Sequence, residues 1–250
     1  MRMRRSVPFF VRDCDKPDLG RRRVLTTASA CAATFLLPEA FPQEASAQAD
    51  GCTVTPDSGE GPFYFDPALV RSDVADGRPG APLEFAVQIR RARDCAPLTG
   101  VRLDLWQADA LGLYSGYDRQ EGVGGISIAP AIGATFLRGT QFTDADGWVR
   151  FTTVYPSWYG GRTPHIHFKV LIGTREVVAG QAFFDDEINA EIFEQWEPYR
   201  EHYTKRRAFN ANDPFIDADR DGSVDGVYCQ IERYDRTGLA ATATVTVDDA

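Results

Sequence analysis

The 250-residue chain has three histidines, and two of them stand one residue apart in the segment TVYPSWYGGRTPHIHFKV, residues 153–170. In an extended strand, residues i and i+2 point to the same face. His165 and His167 would therefore project side by side and could grip one metal ion. Tyr159 lies six residues before His165, across Gly160-Gly161, a pair that lets the backbone turn sharply, and Arg162 lies between them. His202 has no ligand-like neighbour in sequence and reads as a surface residue. A His-x-His pair also occurs as satisfied polar groups on a sheet face; the scarcity of histidine elsewhere is what favours the metal reading.

The donor types narrow the metal. Zinc with two histidines usually adds a carboxylate or thiolates, and none of the cysteines here has C-x-x-C spacing. No glutamate that could act as general base flanks the pair, which counts against a zinc hydrolase. A ferrous facial triad would want a carboxylate where His167 stands. Phenolate is a hard anionic oxygen donor. Two phenolates beside two imidazoles would neutralise much of the charge of a trivalent ion, which suits Fe(III) and requires a second tyrosine.

The elements that must carry these residues are short. Apolar runs, several of them alternating, occur at LEFAVQIRR (83–91), VRLDLWQA (101–108), WVRFTTV (148–154), HIHFKVLI (165–172), EVVAGQAFF (176–184), VYCQIER (227–233) and ATATVTV (241–247), bounded by turn residues. Many short strands without a long 3.6-residue period predict an all-β protein, a sandwich of mostly antiparallel strands whose long loops carry the site. DEINAEIFEQW (186–196) is the one good helix candidate. Residues 48–80, rich in Gly, Pro, Asp and Ser, read as an arm rather than core, and residues 81–250 as the domain.

Residues 1–47 differ from the rest. Arg21–Arg23 precede an apolar run to Leu37, and Ala45 and Ala47 offer a small-residue cleavage site. That pattern is a secretory signal resembling the twin-arginine type, and the run is shorter than the roughly 20 residues that span a bilayer. It predicts export without a stable membrane anchor. The chain carries a formal charge of -9; residues 1–47 hold eight Lys/Arg and five Asp/Glu, leaving 19 basic and 31 acidic residues and a net charge of -12. Such acidity argues against nucleic acid as partner and leaves the oligomeric state open. Cys52, Cys95 and Cys229 lie outside the leader. An exported protein can keep disulfides; Cys52–Cys95, tethering the arm, is the first pairing to expect, although sequence leaves the connectivity open.

DADRDGSVDG (217–226) places Asp217, Asp219, Asp221 and Asp225 at odd spacing around Gly222, like the first half of an EF-hand loop. The twelfth position is Tyr228 rather than a bidentate glutamate. An acidic turn between strands is the favoured reading, with Ca2+ at Asp217, Asp219 and Asp221 as the alternative.

Two motifs in order resemble the intradiol ring-cleavage dioxygenases, the protocatechuate and catechol dioxygenase family. VRLDLWQADALGLYSGYD matches a strand ending in Trp-Gln followed by Gly-x-Tyr, and Tyr159 with RTPHIH matches a Tyr followed by Arg-x-x-His-x-His. GPFY near residue 61 and CAPLTG (95–100) also fit, so the similarity covers most of residues 50–185. The resemblance implies a non-haem Fe(III) held by Tyr114, Tyr159, His165 and His167, with Tyr114 and His165 equatorial and Tyr159 and His167 axial. It implies that Tyr159 leaves the metal and helps take up a substrate proton. It implies that Arg162 stabilises charge on the substrate ring and that Gln181 lies near the oxygen pocket. Tyr117 and Tyr155 are the competing tyrosines. The implied reaction inserts both atoms of O2 into a small aromatic diol, cleaving a catechol between its hydroxyl-bearing carbons to a cis,cis-muconate. An inactive metal-bound sandwich that binds aromatic or sugar ligands is the alternative.

Overall fold

The computed structural model describes residues 52–118, 120, 122–123, 131–217, 223–224 and 226–249. The leader expected at 1–47 and most of the acidic 217–226 turn, including the side chains of Asp217, Asp219, Asp221 and Asp225, lie outside them.

The alternating runs form strands β1 (Pro82–Arg91), β2 (Arg102–Gln107), β4 (Trp148–Val154), β5 (His165–Ile172), β6 (Arg175–Phe183) and β11 (Gly238–Val247). Residues 227–233, expected as one strand, divide into β9 (Val227–Tyr228) and β10 (Gln230–Asp235). Three further strands carry no apolar alternation: β3 (Arg138–Phe142), and the two-residue strands β7 (Ile216–Asp217) and β8 (Ser223–Val224). One sheet runs β10-β11-β1-β4 and the other β3-β2-β5-β6-β9. The pairs β1–β11 and β6–β9 are parallel and the remaining ladders antiparallel. The expected all-β sandwich is what forms.

Alternation decides which side faces the core. Leu83, Phe85, Val87 and Ile89 of β1, Val149 and Phe151 of β4 and Leu239, Ala241, Ala243 and Val245 of β11 meet Leu103 and Leu105 of β2, Ile166, Phe168 and Val170 of β5 and Val178 and Ala182 of β6 in one buried cluster. Removing each large side chain from water contributes roughly 1.5–3 kcal/mol. Helix α1 (Asp186–Gln195) forms where expected and buries Ile192 and Phe193 against this core. Its first turn carries Asp186 and Glu187, which suit the positive end of the helix dipole.

The other face of the five-stranded sheet is polar and yet covered. Register aligns Thr140, Asp104 and Lys169 across β3, β2 and β5, and beside them Arg138, Trp106, His167 and Gln181 across β3, β2, β5 and β6. The arm crosses this face. Asp104 accepts from the Tyr64 hydroxyl at 2.9 Å and the Thr140 hydroxyl at 2.6 Å. Lys169 pairs with Glu60 and with Glu176 and stands 3.7 Å from the Tyr64 ring centre. The arm is also more than a loop: Val74 is fully buried in the core, and its N–H donates to Thr152 O at 2.9 Å. Cys52 and Cys95 form a disulfide that ties down the arm's start, and Cys229 is a buried free thiol.

Candidate metal centre

β5 sets His165 and His167 on the polar face, where both are buried. Trp106, directly across on β2, stacks on the His167 ring at 4.8 Å and 3°. The loop after β2 delivers Tyr114. Asp109, itself buried, organises that loop: its Oδ1 accepts from the N–H of Leu111 at 2.8 Å and of Leu113 at 3.0 Å, and its Oδ2 pairs with Arg78. The turn between β4 and β5 delivers Tyr159. Tyr159 and Arg162 exchange two backbone hydrogen bonds around Gly160 and Gly161, whose φ values are +46° and +89°. Two successive positive φ values make the tight turn that glycine permits without strain.

Four side-chain donor atoms converge. Tyr114 Oη lies 3.4 Å from Tyr159 Oη and 3.4 Å from His165 Nε2; Tyr159 Oη lies 3.4 Å from His165 Nε2, and His167 Nε2 lies 3.1 Å from His165 Nε2. Ligands held about 2.0–2.2 Å from a common ion stand about 2.8–3.6 Å apart at octahedral to tetrahedral angles, so these separations are edges of a coordination polyhedron.

Hydrogen bonding alone does not satisfy this cluster. His165 Nδ1 lies 2.7 Å from Thr163 O. A carbonyl only accepts, so the proton is on Nδ1 and Nε2 presents a bare lone pair. Two hydroxyls and a second imidazole crowd that lone pair, and His167 Nδ1 is buried without a partner. Among the described residues no group of three or more His, Cys, Asp or Glu is placed to hold a metal, so any site here depends on the phenols.

Burial pushes both imidazoles well below their ordinary value, and the Arg162 cation adds to the effect on each. Burial raises the Tyr114 phenol well above its usual value and the Tyr159 phenol as well, while Arg162 opposes both shifts. Without an ion, the pocket therefore holds neutral imidazoles and neutral phenols. A highly charged cation supplies what would draw the phenol protons off. The donor set fits a hard trivalent metal.

Around the donors stand the other expected residues. Arg162 Nη2 donates to Gln181 Oε1, and Gln181 Nε2 reaches Ser58 Oγ of the arm at 3.1 Å. The structure thus brings together all six expected residues, Tyr114, Tyr159, Arg162, His165, His167 and Gln181. The competing tyrosines are elsewhere engaged: the Tyr117 hydroxyl donates to Tyr64 O at 3.1 Å, and the buried Tyr155 hydroxyl donates to Asn189 Oδ1 at 2.7 Å. His202 is a correction, because its side chain is only 15 % exposed rather than on the open surface. Three neighbours were not among the residues expected at the site. Phe63 stacks on Tyr114 at 4.5 Å and meets Tyr159 edge-on at 5.9 Å. Asp213 pairs with Arg162 at 3.0 Å. Arg138 is buried with its guanidinium 4.1 Å from the Phe65 ring centre and bonded to Ser115, the residue after Tyr114. Only the presence of Phe63 in the GPFY motif hinted at a place near the site.

Fold and pocket together define a β-sandwich with a buried two-phenol, two-imidazole centre. A family model described as "Dioxygenase" matches residues 60–194. The solved structure of an intradiol ring-cleavage dioxygenase from Tetranychus urticae is 28% identical with a TM-score of 0.67, covering 79% of this chain and 95% of that one. The dioxygenase domain of a carbohydrate-binding fusion protein from a cellulolytic Streptomyces is 29% identical with a TM-score of 0.52, covering 79% of this chain and 100% of that one. A 3-chlorocatechol 1,2-dioxygenase from Rhodococcus opacus, 18% identical with a TM-score of 0.53, covers 80% of this chain and 74% of that one and shares the fold. No curated protein matches the chain. The chain belongs to the intradiol ring-cleavage dioxygenases, oxidoreductases that generally use non-haem Fe(III).

Proposed function

We propose that this protein is a ferric non-haem dioxygenase that cleaves a catechol between its two hydroxyl-bearing carbons, consuming O2 and releasing a cis,cis-muconate. The observation that carries the reading is the convergence of Tyr114 Oη, Tyr159 Oη, His165 Nε2 and His167 Nε2 at separations of 3.1–3.4 Å. These four residues would hold the ion. When bound, a ferric ion acts as a Lewis acid toward the substrate's two hydroxyl oxygens.

The chain's own residues divide the remaining work. Tyr114 is completely buried and stacked under Phe63, so its phenol is held in place. Tyr159 is only partly buried, and a side chain at Gly160 or Gly161 would meet nothing within 4 Å. Tyr159 is thus the phenol with room to move, and its Oη is placed to take a substrate hydroxyl proton. Arg162 supplies a fixed cation against negative charge that builds on the ring, which favours the transition state over the ground state. Gln181 holds that guanidinium from the sheet side. The arm, through Phe63 and Tyr64, excludes water from the buried face.

Export by the twin-arginine route belongs to the same proposal. The Cys52–Cys95 disulfide supports it, since such bonds persist in oxidising compartments. The substrates would then be small aromatic diols met outside the cytoplasm.

A visible spectrum of the iron-loaded protein under anaerobic conditions tests the reading. The expected result is a broad tyrosinate-to-iron band that moves to longer wavelength with catechol, followed by muconate after an oxygen pulse. A protein that stays colourless after iron reconstitution overturns it.

A further inference from the structure

We propose that Asp213 is the residue that positions Arg162, fixing the direction of its guanidinium and the backbone that links Tyr159 to His165. The inference rests on the reading of Arg162 given above.

Two backbone hydrogen bonds with Tyr159 fix where the Arg162 side chain starts, and its long side chain must still be aimed. Three groups hold its side chain. Asp213 Oδ2 accepts from Nε at 3.0 Å, Gln181 Oε1 accepts from Nη2, and the Phe215 ring lies under the guanidinium with its centre 4.3 Å away. Asp213 is the charged member of this set, and its side chain is 0% exposed. Burying a carboxylate is costly unless its oxygens are occupied, and here both are. Oδ2 also accepts from Thr163 N–H at 2.8 Å, and Oδ1 accepts from Phe215 N–H at 3.0 Å. The second of these bonds places the Phe215 ring, and the first fixes Thr163. Thr163 O in turn accepts from His165 Nδ1 at 2.7 Å. One carboxylate therefore organises the guanidinium, the ring beneath it and the carbonyl that sets the His165 tautomer.

The carboxylate is itself anchored from outside the sheet. Asn210, three residues earlier, accepts from the Thr163 hydroxyl at 2.7 Å and donates through Nδ2 to Phe184 O at 2.8 Å. Its N–H donates to Asp186 Oδ2 at 2.9 Å. The segment that follows α1 is thus pinned to the turn before β5 at two residues, Asn210 and Asp213.

Asp213 has opposing effects on Arg162. Its charge weakens the cation seen by a substrate, while its hydrogen bonds fix where that cation is. Fixed placement decides the outcome, because a misplacement of about 1 Å can cost on the order of 100-fold in rate. Asp213→Asn keeps the shape but offers one acceptor oxygen to donors that the carboxylate meets with two.

The test uses the full chain and has two arms. The first needs no metal and no turnover. In 15N-labelled protein the Arg162 Nε–H resonance, assigned by its loss in Arg162→Lys, should be shifted and slow to exchange in the wild type. It should move to the position of the exposed arginines in Asp213→Asn. A wild-type resonance already at that position overturns the proposal, even if no Asp213 variant folds. The second arm is a double-mutant cycle in the iron-loaded enzyme. Asp213→Asn should lower kcat/KM about 10–100-fold in the wild-type background and by a clearly smaller factor beside Arg162→Met, where only its effect through Thr163 and His165 remains. Losses that multiply in both backgrounds would mean that Asp213 acts through the fold alone. If the wild type turns over no catechol, the dioxygenase reading fails, while the resonance arm still decides the role of Asp213.

Discussion

Gly112 holds the two phenol-bearing loops together, and replacing it should damage the metal centre before the fold. It stands two residues before Tyr114 with φ +79°, and a Cβ built there would lie 2.6 Å from Trp158 O and 3.2 Å from Tyr159 Cβ. Carbon–oxygen contacts relax at about 3.3–3.6 Å. In Gly112→Ala the Trp158–Tyr159 backbone must therefore retreat by about 0.7–1 Å from its 2.6 Å position, carrying the Tyr159 phenol away from Tyr114. Metal sites tolerate about 0.2 Å in ligand distance, so the shift is several times too large. Part of the cost is not specific to the site, since an L-residue at positive φ is strained by about 1–2 kcal/mol. Gly173→Ala is the control: its φ is +63° and its Cβ would meet nothing within 4 Å. Both variants should lose stability in urea, Gly112→Ala by about 1–3 kcal/mol more from overpacking. Ferric titration followed by the visible band should show affinity about 10–100-fold weaker for Gly112→Ala and unchanged for Gly173→Ala. Equal affinity and an identical band in the two variants would refute the claim that this glycine sets the spacing of the phenols.

Other consequences can be measured independently. The Cys52–Cys95 bond closes a sequence separation of 43, so a Cys52→Ser/Cys95→Ser protein should lose about 4 kcal/mol in urea unfolding by the chain-entropy relation. That loss corresponds to a melting temperature about 8–16 °C lower for a body of this size. Phe63→Ala removes aromatic contacts at 4.5, 5.1 and 5.9 Å to Tyr114, Tyr117 and Tyr159. At about 0.5–1.5 kcal/mol for each pair, the metal-free protein should lose about 1.5–4.5 kcal/mol in the same assay. The Asp235 carboxyl is held down to about 2 by the Thr237 hydroxyl and N–H and by Arg233. A depressed folded value means that its support of the β10–β11 turn is complete above the ordinary value near 4 and is lost as pH falls through 2, which hydrogen exchange of Thr237 and Gly238 would follow.

The sandwich was legible where one face is apolar and the other is not. β1, β4 and β5 announce themselves because every second residue enters the core. β3 did not: its sequence RGTQF reflects Arg138 and Thr140 on the polar face beneath the arm, and such a strand has no hydrophobic period to read. The donor set was legible because its members lie in two local motifs, one in β2 and the loop after it and one in the turn leading into β5. Asp213 was not, because it meets Arg162 across 51 residues and lies in a segment without periodicity. Val74 was lost in an arm whose composition speaks of turns, although the residue itself is core.

The charge of the chain and the charge of the site point in opposite directions, and the site's own field decides what binds there. The net charge of -9 is spread over a surface whose contributions fade within about 8–10 Å in physiological salt. Within the pocket none of the four donor residues is a carboxylate. Arg162 and Arg138 both act on Tyr114 and on His167, opposing the rise of the phenol and deepening the fall of the imidazole. Among the described residues Arg138 has no carboxylate as a hydrogen-bond partner, and it is buried, so its field is poorly screened. Asp213 offsets part of the field of Arg162, and no described contact does the same for Arg138. The acidity that argues against nucleic acid as a partner therefore does not argue against an anion at the centre. A pocket with two cations, two imidazoles and no carboxylate among its four donor residues suits a ligand that brings negative charge. An aromatic diol that surrenders its hydroxyl protons, the substrate class of the family, is a ligand of that kind.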